Sequence, residues 1–237
     1  MIAMNNTEPQ APPAALWRRA AAELLGTGLL VAVVVGSGIA AQRLSPGDTG
    51  LELLENSIAT ALGLTVLILI FQPVSGAHFN PVVTLADRAL GSALSAGTIT
   101  IYVVAQMIGG IGGALLANAM FAAPTLLSTT DRATAGHLLG EVVATAGLVL
   151  LIFALVRTGR AALAGPAVGA YIGAAYWFTS STSFANPAVT VGRIFTDTFA
   201  GIAPASAWPF LAAQLAGAAV GVGLVLLFFP VARKALS

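Results

Sequence analysis

The sequence predicts an all-α integral membrane protein with six transmembrane helices and two re-entrant half-helices, arranged as an inverted repeat. Three observations carry this. The 237 residues are 57% hydrophobic and only 8% charged, against about 25% charged in an ordinary soluble domain, and the mean hydropathy is +0.92. The apolar material divides into six stretches of spanning length and leaves two segments too short to cross. Finally, Asn80-Pro-Val-Val-Thr84 returns about a hundred residues later as Asn186-Pro-Ala-Val-Thr190.

Taken in order, residues 1–15 are polar and proline-rich. They lack the charged start, apolar run and cleavage site of a signal peptide and read as a flexible cytoplasmic tail. Asn5-Asn6-Thr7 matches a glycosylation acceptor pattern, read here as chance within that tail. A spanning helix needs about 20 apolar residues, and the candidates are 20–42, 53–71, 98–121, 137–156, 161–178 and 205–229. The leftover segments are 80–90 and 186–195. Eleven helical residues reach about 16 Å, roughly half of a hydrocarbon core about 30 Å thick, so these fit half-helices. Asn followed by Pro is a good helix start, because Asn caps and Pro lacks the N–H that would otherwise be orphaned.

The remainder, 16–237, reads as one domain of two repeats, about 18–121 and 137–232. Glu23-Leu-Leu-Gly-Thr27 opens the first span and Glu141-Val-Val-Ala-Thr145 the fourth; Ala105-Gln106 on span three answers Ala213-Gln214 on span six. Each repeat has three spans, so the second lies upside down relative to the first, which sets a functional site at the midplane where the broken helices meet. Each half-helix N-terminus carries about half a positive charge. Two of them facing a narrow passage repel cations, while Asn80 and Asn186 offer side-chain N–H groups and cap their helices with their oxygens. Such a site favours neutral, hydrogen-bonding solutes over ions.

The basic residues orient the chain. With the termini inside, Arg18, Arg19, Arg88, Arg157, Arg160, Arg233 and Lys234 are cytoplasmic and Arg43, Arg132 and Arg193 are outside, which fits the positive-inside rule. The expected location is the cell inner (plasma) membrane, as a multi-pass protein with both termini cytoplasmic. No cysteine is present and only two histidines, so neither a thiolate metal site nor a disulfide framework is available. No cofactor is expected. A net charge of +1 argues against a nucleic-acid partner.

The paired boxes, the glutamates on spans one and four, and Ser75-Gly-Ala-His-Phe-Asn-Pro81 resemble the aquaporin (major intrinsic protein) family, over residues 18–233. The resemblance implies a passive channel for small neutral solutes, with one pore in each subunit of a homotetramer. It also implies that Glu23 and Glu141 brace the half-helix loops by accepting backbone hydrogen bonds, with Gln106 and Gln214 as further braces. Two departures stand out. The first box ends in Val82 where Ala is usual, and the position after the second box holds Val189 where water- and glycerol-conducting members carry Arg. That Arg belongs to a narrow filter near the outer mouth. Carried over by spacing, the other filter positions are Thr60, Ala174 and Ser183, with Leu62 and Tyr176 as alternatives on spans two and five. This filter would be wide, uncharged and mildly polar, suited to glycerol-like polyols or metalloid hydroxides such as arsenous acid. Arg193, one turn beyond Val189, could replace the missing charge; a hydrated place at the outer interface is the expectation instead.

His78 borders the cytoplasmic vestibule or packs its loop, and His137 reads as a surface residue. The polar run 179–183 reads either as a solvated loop or as a ladder of hydroxyls along the outer pore. Gly109, Gly110, Gly112, Gly113, Gly217 and Gly221 stand at close-packing spacing. The rival to a channel is a secondary transporter with Glu23 and Glu141 as coupling groups; a membrane enzyme would lack a nucleophile and base.

Overall fold

The computed structural model describes residues 14–230. All but the last two residues of the expected tail, and Arg233 and Lys234, lie outside the described residues. The described chain forms α1 (Leu16–Leu44), α2 (Thr49–Ser75), α3 (Pro81–Ala89), α4 (Ala96–Met120), α5 (Ala135–Arg157), α6 (Ala164–Phe178), α7 (Pro187–Gly192) and α8 (Pro204–Phe228). Six are long and apolar enough to cross a membrane, counting α6 with the 3-10 turn Ala161–Leu163 that leads into it. Helices α3 and α7 are the half-helices. The spans run a few residues past the apolar runs because charged and aromatic ends such as Trp17, Arg18 and Arg19 extend the helix into the interface. Six crossings return α8 to the end where α1 begins, called here the near end; the opposite end is the far end.

Local chemistry sets the boundaries. Asp48, Ser95 and Thr134 cap α2, α4 and α5 through side-chain oxygens that accept the N–H groups of Leu51, Thr98 and His137. Helix α2 stops at Gly76, whose φ of 90° is a left-handed conformation that costs glycine little. Asn80 and Asn186 cap α3 and α7, each with Pro at the first helical position. The second half-helix differs from the continuous stretch expected: α7 ends at Gly192 and passes into a 3-10 turn, Arg193–Phe195.

Helix α1 packs on α2 and α4, α5 on α6 and α8, and α2 on α6, while α3 and α7 meet in the middle. Leu62, Ile70, Leu139 and Leu227 are exposed, as suits side chains that face lipid. The α1–α4 seam is a close backbone approach: a Cβ on Gly113 would stand 2.1 Å from the Gly28 carbonyl oxygen, and one on Gly109 2.3 Å from that of Leu24. The α5–α8 seam repeats this at Gly217, 2.6 Å from the Val142 carbonyl oxygen, and at Gly221. Gly110 abuts the Ala188 backbone at 2.5 Å, which seats α7 on α4. Gly112 departs from the expectation, since nothing lies within 4 Å of its Cβ position; it falls on the outer face of α4.

Candidate functional site

The two loops that precede α3 and α7 are built alike. Ala77 and Phe79 have φ of 51° and 50°, and Ser183 and Ala185, the equivalent positions, have 50° and 48°. None is glycine, and each such residue costs about 1–3 kcal/mol unless its surroundings over-determine it. A buried carboxylate does so in each repeat. Glu23 accepts the backbone N–H groups of His78 (3.0 Å) and Phe79 (2.7 Å), the Ser75 hydroxyl (2.6 Å) and the Gln106 amide (2.8 Å). Glu141 accepts the N–H groups of Phe184 and Ala185, both at 2.8 Å, and the Gln214 amide at 2.6 Å. Gln106 also donates to Thr84 (3.1 Å) and Gln214 to Thr190 (2.8 Å), tying each glutamate to its own half-helix.

At the centre the loops cross-link. The Asn80 amide donates to the Ala185 carbonyl and the Asn186 amide to the Phe79 carbonyl, both at 2.8 Å. The side-chain oxygens accept from Val82 (3.1 Å) and Ala188 (2.9 Å) at the start of each half-helix. An amide has two N–H groups; one of each pair is thus spent on the opposite loop, and one remains.

Both asparagines line a cavity of about 370 Å³ that extends from Gln72 and Ala164 near one end to Tyr176 and Arg193 at the other. Most of its wall is apolar, from residues such as Leu30, Leu64, Leu148, Val168 and Ile172. His78 lines its near mouth, where Nδ1 lies 3.0 Å from the Thr84 hydroxyl and Nε2 3.9 Å from Asp87.

At the far mouth Thr60, Ser183 and Val189 line the cavity, but Ala174 does not. Ala174 is exposed on the outer face of α6, and Tyr176 takes its place, 3.1 Å from the Thr60 hydroxyl. Two residues along a helix turn the side chain by about 200°, so only one of these positions can face inward. On α2, Leu62 is 64% exposed and Thr60 3%. Within the polar run, Thr179, Ser181 and Ser183 are buried and Ser180 is exposed. The Ser183 hydroxyl has no partner among the described residues. Arg193 is 2% exposed rather than at a hydrated interface.

Sequence reasoning missed three features. Arg132 donates to the carbonyls of Gly201 (2.8 Å) and Phe199 (2.9 Å) and so pins the loop after α7. Burial draws its guanidinium below the usual value. Asn118 on α4 holds the same region through the Phe195 carbonyl (2.9 Å) and Thr196 (2.9 Å). A second cavity, of about 510 Å³, forms a vestibule at the far end between Gln42, Thr130, Arg132 and Asp197. A polar residue inside an apolar run flags Asn118; nothing in the sequence flags the other two.

Comparison with known proteins fits this architecture. The Major intrinsic protein family model matches residues 11–184. The chain is 50% identical to aquaglyceroporin AqpS of Rhizobium meliloti (strain 1021), over 89% of each chain. It is 30% identical to aquaporin Z of Brucella melitensis biotype 1, over 84% of this chain and 92% of that one. The fold is that of the aquaglyceroporin of Plasmodium falciparum, with a TM-score of 0.67 at 22% identity over 89% of this chain and 96% of that one. The chain belongs to the major intrinsic protein family, whose members are membrane channels and not enzymes.

Proposed function

We propose that this channel conducts water and glycerol-sized polyols, with neutral metalloid hydroxides such as arsenous acid as further candidates. The observation that carries the reading is the cavity wall. It is apolar along most of its length and interrupted at the half-helix junction by the Asn80 and Asn186 amides. A solute stripped of water finds few partners there, so it must be small and neutral and must accept a hydrogen bond at the centre. The name of the relative AqpS, an aquaglyceroporin, supports glycerol in particular. The filter in this reading is Thr60, Tyr176, Ser183 and Val189, with His78 at the near vestibule.

Glu23 and Glu141 act as braces. Neither lines the cavity, and each is fully buried with both oxygens engaged. A transporter would need them exposed to its coupling ion, so that rival has no observation in its favour. The protein sits in the plasma membrane with both termini cytoplasmic, as the distribution of basic residues favours, and assembles as a homotetramer in the bilayer.

The test is stopped-flow light scattering on proteoliposomes, with inward gradients of water, glycerol or arsenous acid and no ion gradient. Glycerol flux that is linear in concentration and indifferent to proton ionophores is the expected result. Flux that requires a proton or sodium gradient would overturn it.

A further inference from the structure

Val189 presents no donor to the far mouth, yet that mouth is not uncharged. Arg193 lies one helical turn further on and is 2% exposed. Among the described residues it alone lines both the through-cavity and the far vestibule, so its side chain forms part of the partition between them. Two contacts fix the guanidinium there. Its Cζ lies 3.4 Å from the centre of the Phe184 ring, a close cation–π contact. Its Nε donates to the Ala200 carbonyl. Phe184 itself is anchored, because its backbone N–H is one of those held by Glu141 at 2.8 Å. The carbonyl that receives Arg193 sits between the two that Arg132 grips, Phe199 and Gly201.

Among the described residues no carboxylate lies within 4.0 Å of the guanidinium. Among the described residues the acid–base contact within 4.0 Å is that of the His78 ring with Asp87, at the opposite mouth. The hydrogen bond that holds the Arg193 guanidinium uses Nε, and the buried Ser183 hydroxyl, on the same wall, has no partner among the described residues. Desolvating an unpaired cation is costly, and such groups are kept where the charge or its donors are used.

We propose that Arg193 is the selectivity-determining cation of this channel, displaced one turn outward from Val189. With the hydroxyls of Thr60, Tyr176 and Ser183 it forms a polar neck that offers donors to neutral hydroxyl-bearing solutes and repels small cations. Arg132 is a positioning residue that holds the Ala200 carbonyl in place. The inference rests on the channel reading above and names what discriminates within that channel.

Two experiments test it. In proteoliposomes, Arg193→Gln removes the cationic member of the neck and raises the methylammonium-to-glycerol flux ratio by about tenfold or more at an intermediate dielectric. Arg193→Lys keeps cation exclusion but loses glycerol flux, because the planar fork is gone. A folded Arg193→Gln protein with the wild-type ratio would overturn the proposal. The second experiment leaves Arg193 in place and uses the absence of cysteine from the chain. Val189→Cys is titrated in detergent with an anionic and a cationic methanethiosulfonate, each rate taken relative to a free thiol. The field of Arg193 favours the anionic reagent about tenfold; equal normalised rates would overturn the proposal even if Arg193→Gln fails to fold. This ratio does not depend on conduction, so a wild-type protein without glycerol flux would instead remove the channel reading.

Discussion

In the first half-helix loop, Glu23 gathers four donors and the mouth beyond it carries His78 and Asp87, 3.9 Å apart. In the second, Glu141 gathers two backbone N–H groups and the Gln214 amide, and the mouth carries Arg193 and Arg132 around one phenylalanine, at 3.4 Å and 5.5 Å from its ring centre. The interior halves of the two loops match down to their left-handed residues, whereas their outward halves share almost nothing. The physical reason lies in what each half faces. Toward the bundle, a polar backbone at the midplane has no water to fall back on and must be satisfied internally, which leaves little freedom. Toward the mouths the chain meets the solutes and the solvent of two different compartments, and there it can vary.

The largest losses are expected at the braces. Glu23→Ala leaves its donors unpaired, at about 1–3 kcal/mol for each buried group, and Glu141→Ala leaves fewer. Both variants are expected to lose thermal stability in detergent, Glu23→Ala more than Glu141→Ala. The helix seams come next. Gly113→Ala drives a Cβ into the Gly28 carbonyl and Gly217→Ala into that of Val142, and overpacking of this kind costs about 1–3 kcal/mol. Gly112→Ala, which meets nothing within 4 Å, is the matched control and should hold or slightly raise the unfolding midpoint, since alanine favours the helix over glycine.

Much of the interior was legible in the sequence because the repeat gives two readings of each position. Glu23 and Glu141, Gln106 and Gln214, and Asn80 and Asn186 stand in register, so each supports the other. The mouths have no such second reading. Spacing alone points to Ala174, whereas on α6 the inward position is Tyr176, two residues further on. Arg193 could be placed on the face of Val189 but not inside the protein, because its burial depends on Phe184 and on the Ala200 carbonyl. The left-handed backbone at Ala77, Phe79, Ser183 and Ala185 leaves no mark in residue type, since none of the four is glycine.

The smallest effect is expected in the far-end loops. The Ser206 hydroxyl and the Ala133 N–H hold the Asp131 carboxyl below its ordinary value of 3.8. The lower value belongs to the folded state, so its contribution is present above the unfolded value and is lost only as the pH falls through the folded one. Asp131→Asn should therefore shift the unfolding midpoint slightly at neutral pH, by less than any brace or seam variant. Acidification below the folded value should remove the difference.

The claim that the two loops meet as equals at the centre of one pathway is tested most directly by comparing Asn80→Ala with Asn186→Ala. Each substitution deletes one amide bond to the opposite loop, at 2.8 Å in both cases, and one helix cap worth about 1 kcal/mol. Glycerol flux per folded protein, measured in proteoliposomes, should fall in both variants and to a similar extent. Wild-type flux in one variant beside a blocked channel in the other would contradict the account.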